Sequence, residues 1–131
     1  LTPLDGTAPC LLYGYGSYGI TIPASFNTNC LSLVDRGFVY AIAHIRGGKD
    51  KGYHWYEEGK REKKTNTFND FIAAARHLVA EGFTAHDRIV AQGGSSTAGY
   101  PFYRGASFPH VLGTRWRRWT TREGAAERLG A

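Results

Sequence analysis

Methionine is missing from all 131 residues, the chain opens on Leu1, and lysine does not occur after Lys64. The leucine start and the missing methionine lead us to expect a segment of a longer protein. No run reaches the ~18 consecutive apolar residues of a membrane span, and no charged-then-apolar leader opens the chain. Neither a membrane span nor a signal peptide is visible in these residues, and a segment without its own start leaves open a leader ahead of it. Cysteine occurs only at Cys10 and Cys30, one in an apolar run and one in an amphipathic stretch. That usage reads as free thiols in a cytoplasmic protein rather than as a disulfide framework. No cofactor and no metal is expected.

The formal net charge is +5, and it is unevenly placed. Residues 1–95 hold ten Lys/Arg and nine Asp/Glu, whereas residues 96–131 hold six Arg, no Lys and only Glu123 and Glu127 as acids. The basic pI is thus a property of the tail, and no nucleic-acid partner is inferred for the whole chain. At this length the chain can hold one modest core.

Pro9-Cys10-Leu11-Leu12-Tyr13 reads as a buried strand running into the loop Gly14-Tyr15-Gly16-Ser17-Tyr18-Gly19. The glycines at 14, 16 and 19 have dinucleotide-binding spacing. Such a site also needs a helix opening inside the motif and an acid at the end of the next strand. Here Pro23 follows closely, Tyr15 and Tyr18 are bulky, and Asp35 precedes that strand, so a nucleotide site is set aside. Residues 26–36 can form an amphipathic helix carrying Phe26, Cys30, Leu31, Leu33 and Val34, with Gly37 as its C-terminal cap.

The almost unbroken apolar run from Phe38 to Ile45 suits a strand buried on both faces of a parallel sheet. Residues 49–64 read as a surface excursion, with His54, Trp55 and Tyr56 in packing roles and Glu57 to Lys64 as a solvated face. Thr67-Phe68-Asn69-Asp70 resembles a capping box. Phe68, Phe71, Ile72, Ala75, Leu78 and Val79 then repeat at helical spacing up to Gly82. Ile89-Val90-Ala91 is a third short strand. Strand, helix, strand, helix, strand with short connections predicts a right-handed parallel α/β sheet.

The third strand ends in Gln92-Gly93-Gly94-Ser95, the way a strand ends when a sharp turn lifts a nucleophile out of the sheet. Ser95 is the candidate nucleophile, with Gly93 as the small residue two before it. In this arrangement the N–H of the following residue, Ser96, is one oxyanion donor, and a loop after an earlier strand supplies a second. The Gly14–Gly19 loop stands in the right place for it. Thr97 occupies the position two after the serine, where glycine is expected.

Several segments together are similar to the start of the peptidase domain of the prolyl oligopeptidase family. They are Leu12-Tyr13-Gly14-Tyr15-Gly16-Ser17-Tyr18-Gly19, residues 35–48 ending in His44-Ile45-Arg46-Gly47-Gly48, Asn66-Thr67-Phe68-Asn69-Asp70-Phe71, and Gly93-Gly94-Ser95. The wording is nearest the oligopeptidase B branch and covers about residues 8–95. The resemblance implies an α/β-hydrolase fold and a serine peptidase that cuts short peptides, in that branch after Lys or Arg. It implies that Ser95 is the nucleophile, that Tyr15 donates its hydroxyl to the oxyanion and that the Ser96 N–H is the other donor. It also implies a β-propeller domain, which nothing in these residues represents. An acidic pair of that branch falls on Pro23 and Ser25, which counts against a preference for basic residues.

We therefore expect a partial α/β-hydrolase domain over residues 1–95, truncated after the elbow, and an atypical Arg-rich tail over 96–131. Thr97 and Pro101 disfavour a tight helix behind the nucleophile, and Phe108 to Trp119 follow neither helical nor strand period. Only Glu123, Glu127 and His110 follow Ser95 as acids or base, so the triad is incomplete and the isolated chain is expected to be inactive. The tail reads as an out-of-frame or unrelated extension. Its rival is a cationic Arg/Trp segment for membrane or nucleic-acid surfaces. The alternatives for the whole chain are a non-catalytic pseudogene product or a different, esterase-like α/β hydrolase. Short peptides are the expected partners, with no nucleic acid and no membrane.

Overall fold

The computed structural model describes residues 4–93 and, beyond them, the backbone of two short strands at 117–119 and 126–128. Strand β1 (Cys10–Gly14) is central. Strands β2 (Val39–Ala43) and β3 (Ile89–Gly93) flank it, giving a parallel sheet in the order β2-β1-β3. The register pairs Cys10 with Val39 and Ile89, and Gly14 with Ala43 and Gly93. A parallel pair needs a crossover, and helices α1 (Thr28–Asp35) and α3 (Lys64–Ala80) supply the two.

One face of the sheet holds the core. Cys10, Leu12, Ala43, Ile45, Ile89 and Ala91 pack against Phe71 and Ala75 of α3, with Ile72, Leu78 and Val79 around them. The helical spacing of those apolar residues is what turns one side of α3 onto the sheet. Gly14 belongs to the same contact: a Cβ there would stand 2.8 Å from the Phe71 ring. Burial raises the pKa of the Cys10 thiol to about 11, and Cys10 and Cys30 are both free.

Both crossover helices close as a glycine in the left-handed region allows. Gly37 (φ +84°) and Gly82 (φ +77°) each follow a helix end. Gly37 N–H donates to Val34 O and Phe38 N–H to Leu33 O; Gly82 and Phe83 do the same to Val79 and Leu78. At the other end of α1, Asn27 Oδ1 accepts from the Asn29 N–H at 2.9 Å.

Four expectations are corrected here. Helix α1 starts at Thr28, leaving Phe26 outside it and 79% exposed, and no residue of α1 is fully buried. Strand β2 is half-buried except at Ala43, because it forms one edge of the described sheet. The excursion at 49–64 contains helix α2 (Tyr53–Glu57) and a 3₁₀ turn at Arg61–Lys63 that runs straight into α3. Helix α3 therefore begins at Lys64, not at a capping box around Thr67, and Asp70 is used elsewhere.

Leu11, Tyr13, Tyr40, Ile42, Val90 and Gln92 on the opposite face border, with α1, an open groove of about 670 Å³. Beyond residue 93, β4 (Arg117–Trp119) pairs antiparallel with β5 (Ala126–Arg128). Three residues per strand are too few to betray a two-residue period in the sequence.

Candidate active site

From β1 the chain crosses to β2 on one side and then returns past β1 to β3 on the other. At such a reversal the loops leaving the carboxyl ends of the two strands part, and that opening is where α/β sheets bind ligands. Gly14 and Gly93 are the last rung of the β1/β3 pair. The Tyr15 loop thus starts beside the end of β3, the two strand ends standing at one level, ~4.8 Å apart.

The loop after β1 is a folded object in its own right. Gly16 has φ +58°, and a Cβ on it would come within 2.6 Å of both Ile45 and Thr67. Tyr18 has φ +55° although it carries a side chain, a strained value that only surrounding contacts can sustain. Ile20 N–H closes the turn onto Ser17 O at 3.1 Å, and Gly19 N–H donates to Gly47 O at 3.0 Å. Gly47 (φ +102°) sits so close that a Cβ would fall 2.1 Å from the Gly16 oxygen, and one on Gly59 would fall 2.1 Å from Gly47 N. Three chain segments therefore meet where only glycines fit.

Polar side chains fasten this node. Arg46 donates Nε to Asp70 Oδ2 at 2.8 Å and a terminal N–H to Oδ1 at 2.7 Å, and its backbone N–H adds a third bond to Oδ2 at 2.9 Å. That forked geometry favours the guanidinium and holds its pKa above the usual value. Thr67, fully buried, donates its hydroxyl to Arg46 O at 2.5 Å. Lys64 donates from Nζ to Gly16 O at 2.5 Å and to Ser17 Oγ at 2.8 Å. Burial lowers its pKa to about 8. The side chains of Lys64 and Asp70 were thus misassigned by the sequence pattern, one to a solvated face and the other to a helix cap. Gly59 carried no signal at all, since nothing local marks a glycine that a residue twelve positions back will touch.

His44 Nδ1 lies 2.9 Å from Asp50 Oδ1, which also accepts from the Ile22 N–H at 3.2 Å. Trp55 donates its indole N–H to His44 O at 3.0 Å, and Gly47 N–H donates to Trp55 O. The packing role expected of Trp55 is the one it has. His44 and His54 are exposed, as are His77 and His86.

Of the expected site residues, Tyr15 is half-buried at the carboxyl end of β1, and its phenol helps burial raise the pKa of Tyr13. Ser95 and Ser96 lie outside the described residues, as do Thr97, Pro101 and His110. Pro23 and Ser25 line the open groove beside α1. The loop does not lead into a helix as a dinucleotide site would, since α1 starts only at Thr28. Among the described residues, no group of three or more His, Cys, Asp or Glu is placed to hold a metal ion, and no helix is long and apolar enough to cross a membrane.

A parallel β2-β1-β3 sheet, a glycine loop after its central strand and a Gly-Gly-Ser sequence following β3 define the class: this is part of an α/β-hydrolase domain. The chain belongs to the prolyl oligopeptidase family, whose model matches residues 24–99. It is 53% identical over 92 residues to dipeptidyl aminopeptidase BI of Pseudoxanthomonas mexicana, and 47% identical over 92 residues to protease 2 of Moraxella lacunata. Each match takes in 70% of this chain and 13% of the relative. Oligopeptidase B of Trypanosoma brucei, solved with covalently bound antipain, superimposes with a TM-score of 0.76 at 41% identity. That superposition covers 90% of this chain and 16% of the other. The chain thus spans about an eighth of the length of the curated relatives it matches.

Proposed function

We propose that this chain carries the nucleophile and the oxyanion loop of a serine oligopeptidase acting on short peptides. In this reading Ser95 Oγ adds to the scissile carbonyl carbon while a general base takes the hydroxyl proton. The oxygen of the tetrahedral intermediate gains negative charge, and the Tyr15 hydroxyl and the Ser96 N–H donate to it. Collapse expels the amine, which takes a proton from the same base, and leaves an acyl-enzyme that water hydrolyses. The observation that carries the reading is the Gly14/Gly93 rung, which makes the Tyr15 loop and the approach to Ser95 neighbours.

The base and its orienting acid are the missing parts. In hydrolase order they follow the serine, and His110, Glu123 and Glu127 are the only histidine and carboxylates after Ser95. We infer that these 131 residues alone do not turn over peptides and that an out-of-frame or unrelated extension follows the family match, which ends at residue 99. Sequencing the surrounding DNA tests the second point: a continuous frame with a homologous tail would contradict it. Cleavage after Lys or Arg draws no support from Pro23 and Ser25, so basic selectivity would need another carboxylate. The free thiols Cys10 and Cys30 suit a reducing compartment such as the cytoplasm.

The functional test is a chimera in which residues 1–95 replace the matching segment of the dipeptidyl aminopeptidase BI relative. Hydrolysis of short peptide substrates that disappears with Ser95→Ala supports the assignment. A folded chimera that is inactive, or activity indifferent to Ser95→Ala, refutes it.

A further inference from the structure

Lys64 is the first residue of α3, 47 and 48 positions along the chain from the two residues it bonds, Ser17 and Gly16, a separation no sequence pattern connects. Both groups belong to the residues immediately after Tyr15. Nζ donates to Gly16 O at 2.5 Å and to Ser17 Oγ at 2.8 Å, and Ser17 itself is buried. No ion pair among the described residues engages Lys64, and desolvation is the cause that lowers its pKa to about 8. A lysine free to reach water would not be desolvated, so the site keeps an ammonium or amine where burial disfavours its charge. What it gains in return is a donor for the carbonyl of a buried glycine with positive φ.

The Tyr15 loop needs such a fastening. Tyr18 sits in the left-handed region although it carries a side chain, and such a strained backbone persists only where its surroundings over-determine it. The Gly19 bond to Gly47 fixes the far end of the loop. The near end, next to Tyr15, is fixed by Lys64. A neutral amine still has two N–H donors for these two acceptors, so the fastening survives loss of the charge.

We propose that Lys64 is a positioning residue for Tyr15: from the start of α3 it ties down Gly16 and Ser17 and so fixes where the Tyr15 hydroxyl can stand. The proposal rests on the reading of Tyr15 as an oxyanion donor, but its test does not need activity. The 131-residue chain is prepared with 3-fluorotyrosine at position 15, as wild type, Lys64→Met, Ser17→Ala and the control Lys63→Met, which removes an exposed pairing with Glu58. Fluorine spectra report the surroundings of ring 15, and hydrogen exchange reports the amides of residues 16–19 against those of β1 and β3.

For Lys64→Met we expect the fluorine line to move or split and the loop amides to exchange about tenfold faster, the equivalent of one lost hydrogen bond. The strand amides stay unchanged, Lys63→Met matches wild type, and Ser17→Ala gives a smaller change of the same kind. If Lys64→Met does not fold, the Ser17→Ala shift at position 15 decides. An unmoved fluorine line in the variants that fold overturns the proposal, as does an exchange increase spread equally over loop and strands. Failure of the peptidase reading appears instead as an inactive chimera with this loop response intact.

Discussion

Gly14 and Gly93 face each other across the final rung of β1 and β3, and each is the last residue of its strand. One strand leaves this rung into the Tyr15 loop, and in the sequence Ser95 follows the other two residues later. Neither residue carries a side chain. A Cβ on Gly14 would also press on Phe71, so the same glycine couples the mouth of the site to the packing of α3 below it.

The three-glycine node predicts a graded response to alanine. At Gly37 a Cβ meets nothing within 4 Å, so Gly37→Ala carries only the penalty of φ +84°, roughly 1–2 kcal/mol. At Gly47 the same change adds a Cβ 2.1 Å from the Gly16 oxygen, backbone that cannot swing aside. Gly47→Ala should therefore cost more than ~3 kcal/mol and disturb the Tyr15 loop. Urea unfolding of the two variants checks the order, and equal losses would contradict it.

Asp70→Asn leaves the Arg46 side chain, 28% exposed, without its carboxylate partner. Three bonds to one carboxylate are weakened at once, and a loss of about 1.5–3 kcal/mol follows. Thermal unfolding measures it. A change below ~0.5 kcal/mol would mean that the pair behaves as an ordinary surface salt bridge.

Alkaline stability should pass through a maximum. Lys64 has its folded pKa lowered from 10.5 to about 8, so the unfolded chain binds more protons between those values and stability rises with pH there. Cys10 and Tyr40 are raised by burial, from 9.0 to about 11 and from 10.0 to about 12. Their contribution is present below the unfolded values and is lost as pH climbs through the folded ones. From pH 8 to 9 the Lys64 slope acts alone, at most ~1.4 kcal/mol per pH unit, and above that the other two oppose it. Urea midpoints from pH 7 to 10.5 should thus rise and then level or fall. In Lys64→Met the rise should vanish, and a rise that persists in that variant would contradict the assignment.

What was legible in the sequence is what local repetition encodes. The runs at Cys10, Val39 and Ile89, the spacing from Phe68 to Val79 and the glycines at 37 and 82 set the strands, the main helix and its stops. The candidate site was inferred from chain order, a glycine loop after the first strand and a Gly-Gly-Ser sequence after the third, and Ser95 and Ser96 lie outside the described residues. The fastenings were not. Arg46 with Asp70, Lys64 with Gly16, and Gly47 with Gly59 join residues whose separation carries no period. A lysine in a charged run looks the same whether it faces water or a buried carbonyl. Phe26 and β2 were read as more buried than they are because apolar residues report what a surface could pack against. The open groove beside α1 shows that this face is only partly covered by the described residues.

Active-site labelling tests the central claim most directly. The chimera carrying residues 1–95 is treated with a fluorophosphonate and the modified residue located by mass spectrometry. The account predicts one label per molecule, on Ser95, absent in Ser95→Ala and formed ~10²–10³-fold more slowly in Tyr15→Phe, the loss expected for one oxyanion donor. A folded chimera labelled elsewhere, or on Ser95 at an unchanged rate in Tyr15→Phe, would contradict the nucleophile in the first case and the oxyanion loop in the second.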